Sequence, residues 1–213
     1  TGTNAQFNNP RRIRMSHDQT FILVADAGNN KVRKVFLETR EVTTAAGTGK
    51  QGDKGDGGLA LSAHLNSPGG IATDTTGQVY IADTGNNRVR MISLSGIITA
   101  FAGTGTKGSG DDNVPATLSS LDAPMGVWVD FNGNLFLTDA GNLRLRVVST
   151  SSGLIYSIGD RGDSATENRN LALTTRFSRS SDVWGNSAGD LFVVAENLYR
   201  VIQLSTVDRT GPS

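Results

Sequence analysis

The chain has 213 residues, which suits one large domain or two small ones, and its basic and acidic residues, 20 of each, exclude a strong positive field. Nucleic acids and anionic membranes are therefore disfavoured as partners, because both attract proteins through excess positive charge. Hydrophobic residues at 37%, charged residues at 19% and 26 glycines indicate a globular chain rich in strands and turns, and the lack of cysteine excludes disulfides and zinc thiolate sites.

One pattern of strand, tight turn and strand recurs four times along the chain. Its copies are VADAGNNKVRKV (24–35), IADTGNNRVRMI (81–92), LTDAGNLRLRVV (137–148) and VVAENLYRVIQL (193–204). One turn position, occupied by Asp26, Asp83, Asp139 and Ala195, recurs at almost equal intervals. Such a fixed period predicts a tandem array of structural repeats. The array forms a single region over 1–213. Its repeats extend over about 7–64, 65–120, 121–176 and 177–213, and the last repeat is incomplete.

Within the second repeat, four short apolar segments are separated by turn residues. They are GIATD (70–74), QVYIAD (78–83), RVRMIS (88–93) and GIITAFAG (96–103). Short apolar runs between glycine- and asparagine-containing turns are typical of strands joined by hairpins. Each repeat is therefore predicted to form a four-stranded antiparallel meander. Because apolar side chains lie on both faces of such a sheet, neighbouring sheets must stack face to face, which is the architecture of a β-propeller.

The turn pattern itself resembles the NHL repeat, a family of β-propellers. In the one-letter code it is D-x-G-N-N-[KR]-V-R after [VIL]-x-[AT], and the resemblance extends over essentially the whole chain. It implies an all-β propeller fold, in a family that commonly has about six blades. Four repeats, the fourth degenerate, then predict about four blades in an arc or fragment of a larger ring, or in a ring completed by another copy. The tail 205–213 has no apolar run, so the fourth blade is expected to lack its outer strand.

Acidic and basic residues occupy fixed positions at the turn of the repeats. Each aspartate at the end of a strand lies five residues before a basic residue, which would face it across the hairpin. The aspartates are Asp26, Asp83 and Asp139, and the basic residues are Lys31, Arg88, Arg144 and Arg200. A carboxylate there can accept hydrogen bonds from turn amides and pair with the basic group, and its recurrence and the NHL resemblance favour a structural role. The fourth blade, with Ala195 opposite Arg200, is expected to be less stable.

A second row of basic residues lies two positions further along the same strands, at Arg33, Arg90 and Arg146. Three arginines at equivalent places could line one rim and bind a carboxylate, phosphate or sugar. The alternative is that their stems cover neighbouring blades while their guanidinium groups pair with carboxylates. The neutral net charge favours that alternative, and the sequence leaves the choice open.

Other features give little support for catalysis or cofactor binding. His17 and His64 occupy unrelated positions, and GTGKQG (47–52) has the letters of a dinucleotide fingerprint but is followed by a meander rather than a helix. The aspartates of DKGDGG (53–58) lack the ligand spacing of a calcium loop. No cofactor, metal site or enzymatic activity is therefore expected. Trp128 and Trp184, one repeat apart, are expected to pack between blades, with stacking on sugar as the alternative.

The repeat pattern and the resemblance together predict a non-catalytic scaffold for protein–protein interaction. The linkers at 47–66, 103–122 and 159–178 differ most between repeats and are the expected recognition sites. The partner would be another protein or further copies of this chain, and end blades that join without closure would build a filament. Binding of a small ligand, glycan or RNA on the rim is a further alternative, and a propeller lyase or hydrolase is the least favoured. No membrane insertion is expected, and the compartment stays undefined, with a slight lean to the extracellular side or the cell surface.

Overall fold

Sixteen β-strands in four antiparallel sheets form the regular structure of the described residues, which are 5–158, 180–186, 189–195 and 199–204 of a computed structural model. The first sheet contains β1 (Pro10–Met15), β2 (Phe21–Asp26), β3 (Lys31–Phe36) and β4 (Val42–Ala46). The second contains β5 (Ile71–Thr73), β6 (Val79–Asp83), β7 (Arg88–Ile92) and β8 (Ile98–Ala102). The third contains β9 (Val114–Pro115), β10 (Pro124–Val129), β11 (Leu135–Asp139), β12 (Arg144–Val148) and β13 (Leu154–Ile158), and the fourth contains β14 (Ser180–Gly185), β15 (Leu191–Ala195) and β16 (Arg200–Leu204). Short 3-10 turns lie at Ala27–Asn29, Ala60–Ser62, Thr84–Asn86 and Ala116–Leu118.

The strands of each sheet are hydrogen-bonded in chain order, so every sheet is a meander, and β9 joins the third sheet beside its outer strand β13. The first strands of successive sheets, β1, β5, β10 and β14, contact one another, and the four sheets are arranged as the blades of a four-bladed β-propeller. This arrangement confirms the all-β propeller fold and the number of blades predicted from the repeats. The tail 205–213, predicted to contain no outer strand, lies outside the described residues.

The tight turn between the second and third strands of each blade contains one residue with a positive φ. Asn30 and Asn87 occupy this position at φ 52° and 51°, a conformation that asparagine tolerates better than most residues. Their side chains also reach the next blade, because the two Oδ1 atoms accept hydrogen bonds from the N–H groups of Ser67 and Ala123 at 2.9 and 3.0 Å. Each asparagine therefore shapes its own hairpin and attaches it to the segment that begins the next blade.

Apolar side chains pack between neighbouring blades in three clusters. These clusters lie between the first and second, the second and third, and the third and fourth blades, and they include Leu65, Leu121 and Leu191 respectively. Leu65 and Leu121 come from the linkers and are fully buried, so the linkers contribute to the core. The hydrophobic stabilisation of this fold therefore arises between the sheets, as expected when no sheet can shield both of its faces alone.

The two described linkers close the outer edges of the blades that follow them. The Gly57 N–H donates to the Ile98 carbonyl at 2.8 Å, and the Ile98 N–H donates to the Gly58 carbonyl at 2.9 Å. In the third blade, β9 occupies the same place and pairs with β13. Such coverage matters because an exposed strand edge is a template for unwanted pairing. Recognition by the linkers 47–66 and 103–122 stays a prediction, and the third linker, 159–178, lies outside the described residues.

Candidate interaction surface

The aspartate at the end of the second strand is buried in each of the first three blades and acts as a hydrogen-bond acceptor. Asp83 Oδ1 accepts from the Asn66 N–H at 2.7 Å, and Oδ2 accepts from Asn86 Nδ2 at 2.8 Å. Asp26 and Asp139 make the corresponding bonds. Each carboxylate thereby joins the hairpin of its blade to the segment that enters the blade, which is the geometry that the predicted structural role requires.

A buried arginine on the third strand connects this aspartate to the linker. The side chain of Arg90 is fully buried; its Nη1 lies 3.7 Å from Asp83 Oδ2 and donates to the His64 carbonyl at 2.8 Å. Its Nε and Nη2 donate to Asp56 Oδ1 at 3.0 and 2.8 Å. Arginine suits this place because its donors form a rigid planar fork. We call the set Asp83, Arg90 and Asp56 an ionic unit.

The third blade contains the same ionic unit one repeat later, at Asp139, Arg146 and Asp112. Arg146 Nη2 donates to Asp112 Oδ1 at 2.8 Å, and Nη1 lies 3.7 Å from Asp139 Oδ2. Asp56 and Asp112 were not predicted from the sequence to belong to this unit. Their separation along the chain equals that of Asp83 and Asp139, and this shared period was the signal that could have identified them.

The predicted pairing across the hairpin is corrected by this geometry. Arg88 and Arg144 stand directly opposite Asp83 and Asp139 in the strand register. The carboxylates of Asp83 and Asp139 instead lie 3.7 Å from Arg90 and Arg146, two residues further along the strand. Arg88 pairs with Asp56 at 3.2 Å. Arg88 therefore has its short ion pair with the linker aspartate and not with the aspartate of its own hairpin. Of the remaining predicted structural positions, Lys31 is half-buried, and the side chain of Arg200 lies outside the described residues.

The predicted ligand-binding rim of Arg33, Arg90 and Arg146 is also corrected. Arg90 and Arg146 are fully buried and bound to carboxylates, so neither can line an accessible rim. Their guanidinium groups pair with carboxylates, as the alternative interpretation required. Arg33 is half-buried, and its Nε donates to the Thr43 carbonyl at 3.3 Å.

Burial dominates the electrostatics of the ionic unit. Desolvation raises the pKa of Asp83 to about 6 and also raises the pKa of Asp139, although their hydrogen bonds and the nearby arginines act in the opposite direction. Desolvation lowers the pKa of Arg146. Since Asp83 and Arg90 have no exposed side-chain surface, neither meets a substrate from solution. The perturbed pKa of Asp83 therefore concerns the stability of the blade.

In the fourth blade, neutral residues occupy the two buried positions of the ionic unit. Ala195 replaces the aspartate and is fully buried, and the half-buried Ile202 replaces the arginine. The linker position one repeat after Asp112 is Asn168, which lies outside the described residues. Because both buried charges are absent together, the fourth blade contains neither an isolated carboxylate nor an isolated guanidinium group at these positions.

The faces of the first and fourth blades that point towards each other are exposed. Val201 is 64% exposed, whereas its equivalents in the second and third blades, Val89 and Leu145, are fully buried against the next blade. Ile13 is 69% exposed, whereas its equivalent Ile71 is buried against the preceding blade. We call this region the open seam, and it comprises Trp184, Val194 and Val201 of the fourth blade and Ile13 and Met15 of the first.

A polar contact joins the two blades of the open seam nearer the centre. Arg12 Nη2 donates to the Ser181 carbonyl at 2.8 Å, and Arg12 Nε lies 3.0 Å from Asp182 Oδ2. The four described blades thus meet around the centre while their end faces stay unpacked. An arc of a larger ring, or a ring completed by another copy, stays a prediction.

A cavity of about 640 Å³ lies beside the open seam, where the first strands of all four blades end. Its lining residues are Ile13–Ser16, His17, Gln19, Thr73–Thr75, Trp128–Phe131 and Trp184–Asn186. Trp128 is buried between blades, as predicted, but the same prediction is wrong for Trp184, whose side chain is 50% exposed. Phe131, which is 67% exposed at the cavity, was not predicted from the sequence, because it belongs to a turn with no recurring aromatic residue.

Neither a metal centre nor a spanning helix is found in the part of the chain that the structure describes. In these ranges no three histidine, cysteine, aspartate or glutamate residues are grouped closely enough to hold a metal ion. No helix of the described residues has the length and apolar character needed to cross a bilayer.

Part of the chain is similar in sequence to known proteins. Residues 39–115 match the family described as the Teneurin NHL domain. NHL repeat-containing protein 2 of Bos taurus is 32% identical over 94 residues, which cover 44% of this chain and 13% of that protein. Teneurin-1 of Homo sapiens is 29% identical over 153 residues, which cover 60% of this chain and 6% of that protein. Part of this chain is thus similar to the NHL repeats of these proteins, in agreement with the resemblance of its turn pattern, and the chain spans a small part of the length of these relatives.

Solved structures support the same fold. A protein of unknown function from Bacteroides thetaiotaomicron superimposes with a TM-score of 0.72 at 18% identity, over 92% of this chain and 47% of that chain. A streptogramin B lyase superimposes with a TM-score of 0.63 at 12% identity, over 97% of this chain and 54% of that chain. The chain thus spans about half the length of these structures. At such identities the likeness concerns the fold alone.

Proposed function

We propose that this NHL-repeat chain is a non-catalytic β-propeller scaffold that binds other proteins through the open seam and the adjoining cavity. The observation that carries the proposal is the grouping of Trp184, Phe131, Met15 and Ile13, each at least 45% exposed, around one cavity. Exposed apolar groups that lie together and are surrounded by polar residues mark interaction sites. An interaction scaffold also fits the NHL repeats that the chain shares with its relatives.

The composition of this surface favours a protein partner over a small ligand. Trp184 and Phe131 offer broad ring surfaces, and aromatic side chains provide much of the binding free energy at protein interfaces. Exposed polar side chains around them, including His17, Gln19 and Thr75, can form the hydrogen bonds of a rim. Small ligands are usually enclosed by their sites, whereas the rings here are open to solvent.

The carboxylates beside the cavity support a role without catalysis, because their oxygens are used by turns. Asp74 Oδ1 accepts from the N–H groups of Thr76 and Gln78 at 3.0 and 2.9 Å. Asp130 Oδ1 accepts from the N–H groups of Asn132 and Asn134 at 2.9 and 2.8 Å. Both aspartates thus hold the hairpin that follows the first strand, which leaves them poorly placed for acid–base work on a bound molecule.

Site-specific photo-crosslinking tests the proposal. A photoreactive phenylalanine analogue is placed at Phe131 and, as the matched control, at Leu94, which is 73% exposed in the turn between β7 and β8. We expect protein adducts in extracts of the source cells from position 131 and not from position 94, and fewer adducts when Trp184 is changed to Ser. Equal adducts at both positions, or none at position 131, would contradict a protein-binding seam.

A second copy of the chain is a specific candidate for this partner. Inside the propeller, the face of one blade packs against the opposite face of the next, and the fourth and first blades leave one face of each type exposed. The face with Val201 corresponds to the one with Leu145, and the face with Ile13 corresponds to the one with Ile71. Sedimentation over a range of concentrations tests this candidate. Val201→Asp is expected to abolish any association, whereas Leu94→Asp, on an exposed turn, is expected to leave it unchanged.

A further inference from the structure

The first strands β1, β5, β10 and β14 surround the central channel of the propeller, and their charges are unequal. β1 contains Arg11, Arg12 and Arg14, whereas β14 contains one charged residue, Asp182, and β5 and β10 contain none. The chain as a whole has no net charge. Positive charge is therefore concentrated on one wall of the channel, and a local excess of this kind attracts anions.

A pocket of about 300 Å³ lies at the end of the channel where the first strands begin. Its lining residues are Asn9, Arg11, Arg12, Gly69, Met125 and Ser181. Four of them occupy the same position in successive repeats, one from each blade, and these are Arg11, Gly69, Met125 and Ser181. We call this pocket the channel mouth. It lies at the opposite end of the first strands from the cavity beside the open seam.

The next position of the repeat explains why there is room for this pocket. Glycine occupies it in the second and third blades, at Gly70 and Gly126, where an added Cβ atom would collide with the first strand of the next blade. In the first and fourth blades the same position is occupied by Arg12 and Asp182. Since only glycine permits such a close approach, the arginine keeps β1 further from the neighbouring first strand, which leaves room for the channel mouth.

Arg11 is the cation of the channel mouth that has no counterion among the described residues. Arg12 Nε lies 3.0 Å from Asp182 Oδ2, whereas no carboxylate of the described ranges forms an ion pair with Arg11. The buried Arg90 and Arg146, by comparison, both bind a linker aspartate. Because Asp182 neutralises Arg12, the channel mouth has one net positive charge. Arg11 is only half-buried, so its guanidinium group can be reached from solution.

Arg12 offers a further donor in the channel mouth. Its Nη2 donates to the Ser181 carbonyl at 2.8 Å, and its Nη1 donates to the Arg11 carbonyl at 3.2 Å. Its Nε is buried, and despite the short distance to Asp182 it forms no aligned hydrogen bond with any described residue. Buried donors in proteins nearly always have an acceptor. The carboxylate of a bound molecule would supply one beside Arg11.

We propose that the channel mouth binds a small organic molecule with a single carboxylate group, which pairs with Arg11. The planar fork of a guanidinium group matches the two oxygens of a carboxylate. Met125, which is half-buried, offers an apolar surface to the remainder of the molecule. A volume of about 300 Å³ is at the lower end of the range of small-ligand sites.

Asp182 favours a monoanion over a dianion at this site. Its carboxylate lies beside Arg12, so a second negative charge on the ligand would be repelled rather than neutralised. A phosphate or sulfate group is therefore a poorer match than a carboxylate. The channel mouth and the cavity of the open seam lie at opposite ends of the first strands, so the proposal does not depend on what that cavity binds.

Titration of the intact chain with butanoate, followed by the NMR signals of the arginine Nε–H groups, tests the proposal. Butanamide, which has nearly the same shape without the charge, is the control ligand, and sulfate is the dianion. We expect butanoate to give a saturable shift of the Arg11 signal, which is identified by its loss in Arg11→Gln. Butanamide is expected to bind about tenfold or more weakly, the size of effect given by loss of a charge-assisted hydrogen bond. Sulfate is also expected to bind more weakly than butanoate.

Three protein variants locate the ligand. Arg11→Gln is expected to weaken butanoate binding about tenfold or more, whereas Arg40→Gln, which removes the same charge from an exposed turn, is expected to leave it unchanged. Met125→Glu, which places a carboxylate in the channel mouth, is expected to block binding while Arg11 is kept. Lack of a saturable shift at millimolar butanoate, equal binding of butanoate and butanamide, tighter binding of sulfate, or equal effects of Arg11→Gln and Arg40→Gln would overturn the proposal.

Discussion

The third and fourth blades have the same strand order and lie one repeat apart, yet they are stabilised differently. The third blade is buried on both faces and contains the ionic unit of Asp139, Arg146 and Asp112. The fourth blade is buried on one face, and it has Ala195 and Ile202 in place of the two buried charges. The difference therefore combines a change in chemistry with a change in packing.

The comparison shows that a buried ion pair and a pair of apolar residues can occupy the same place in one fold. Replacing both members of a buried pair by apolar side chains is often neutral or stabilising, whereas removing one member leaves a buried charge without its partner. Ala195 by itself suggested a weaker fourth blade. Together with Ile202 it is a matched replacement, so any lower stability of this blade is expected to arise from its exposed face.

The substitution Asp139→Ala tests the chemical half of this comparison most directly. It recreates the alanine of the fourth blade while keeping Arg146, and it deprives the Asp122 N–H and Asn142 Nδ2 of an acceptor. We expect the free energy of unfolding to fall by about 3 kcal/mol in urea titrations, because two buried donors lose their acceptor while Arg146 keeps its ion pair with Asp112. Asp18→Ala, in an exposed turn, is the control and is expected to cost much less, because water can replace the hydrogen bonds of an exposed carboxylate. Equal losses from the two variants would contradict a special role for the buried carboxylate.

The two tryptophans test the packing half of the comparison. Trp128 is buried against the fourth blade, and Trp184 occupies the same position on the exposed face of that blade. We expect Trp128→Ala to lower the free energy of unfolding by about 3 to 5 kcal/mol and Trp184→Ala to lower it by less than about 1 kcal/mol. A large loss from Trp184→Ala would mean that the seam is packed in solution.

The double substitution Asp139→Ala with Arg146→Ile gives the third blade the residues of the fourth. Because it removes both buried charges together, we expect it to be more stable than Asp139→Ala alone by about 1 to 3 kcal/mol. Arg146→Ile alone completes the double-mutant cycle in the same urea titrations. Additive losses would show that the carboxylate and the guanidinium group are independent, which would remove the argument for a matched replacement.

The pH dependence of stability gives the smallest expected effect and involves the same unit in the second blade. Burial raises the pKa of Asp83 to about 6, so the folded chain binds this proton more tightly than the unfolded chain, where the pKa is close to 3.8. The resulting stabilisation is complete below about pH 4 and is lost as the pH rises through about 6. Replacing Asp83 with Asn is expected to remove about 1 kcal/mol of the decline between pH 5 and pH 7, measured by urea titration at each pH. The same decline in both proteins would assign it to other groups.

Much of the fold could be predicted from the sequence, because the constant repeat period and the glycine-asparagine turns can be read directly along the chain. The candidate site was harder to predict. Asp83 and Arg88 are neighbours in the hairpin, so the pattern suggested that they pair, but Asp56 approaches from the preceding linker, far away in sequence, and binds Arg88. Trp184 and Trp128 occupy the same position of the repeat, each directly after a valine. Their difference in exposure depends on whether another blade covers the face.

The sequence alone established a tandem array of four small strand modules, because the alternation of apolar segments and turn residues acts over a few residues and repeats along the chain. Only the tertiary structure decided which charges are buried together and which faces stay exposed. The reason is physical: hydrophobic burial and ion pairing depend on what lies across a gap in space. In this propeller the group across the gap belongs to a linker or to the next blade, at a distance in sequence that local patterns do not encode.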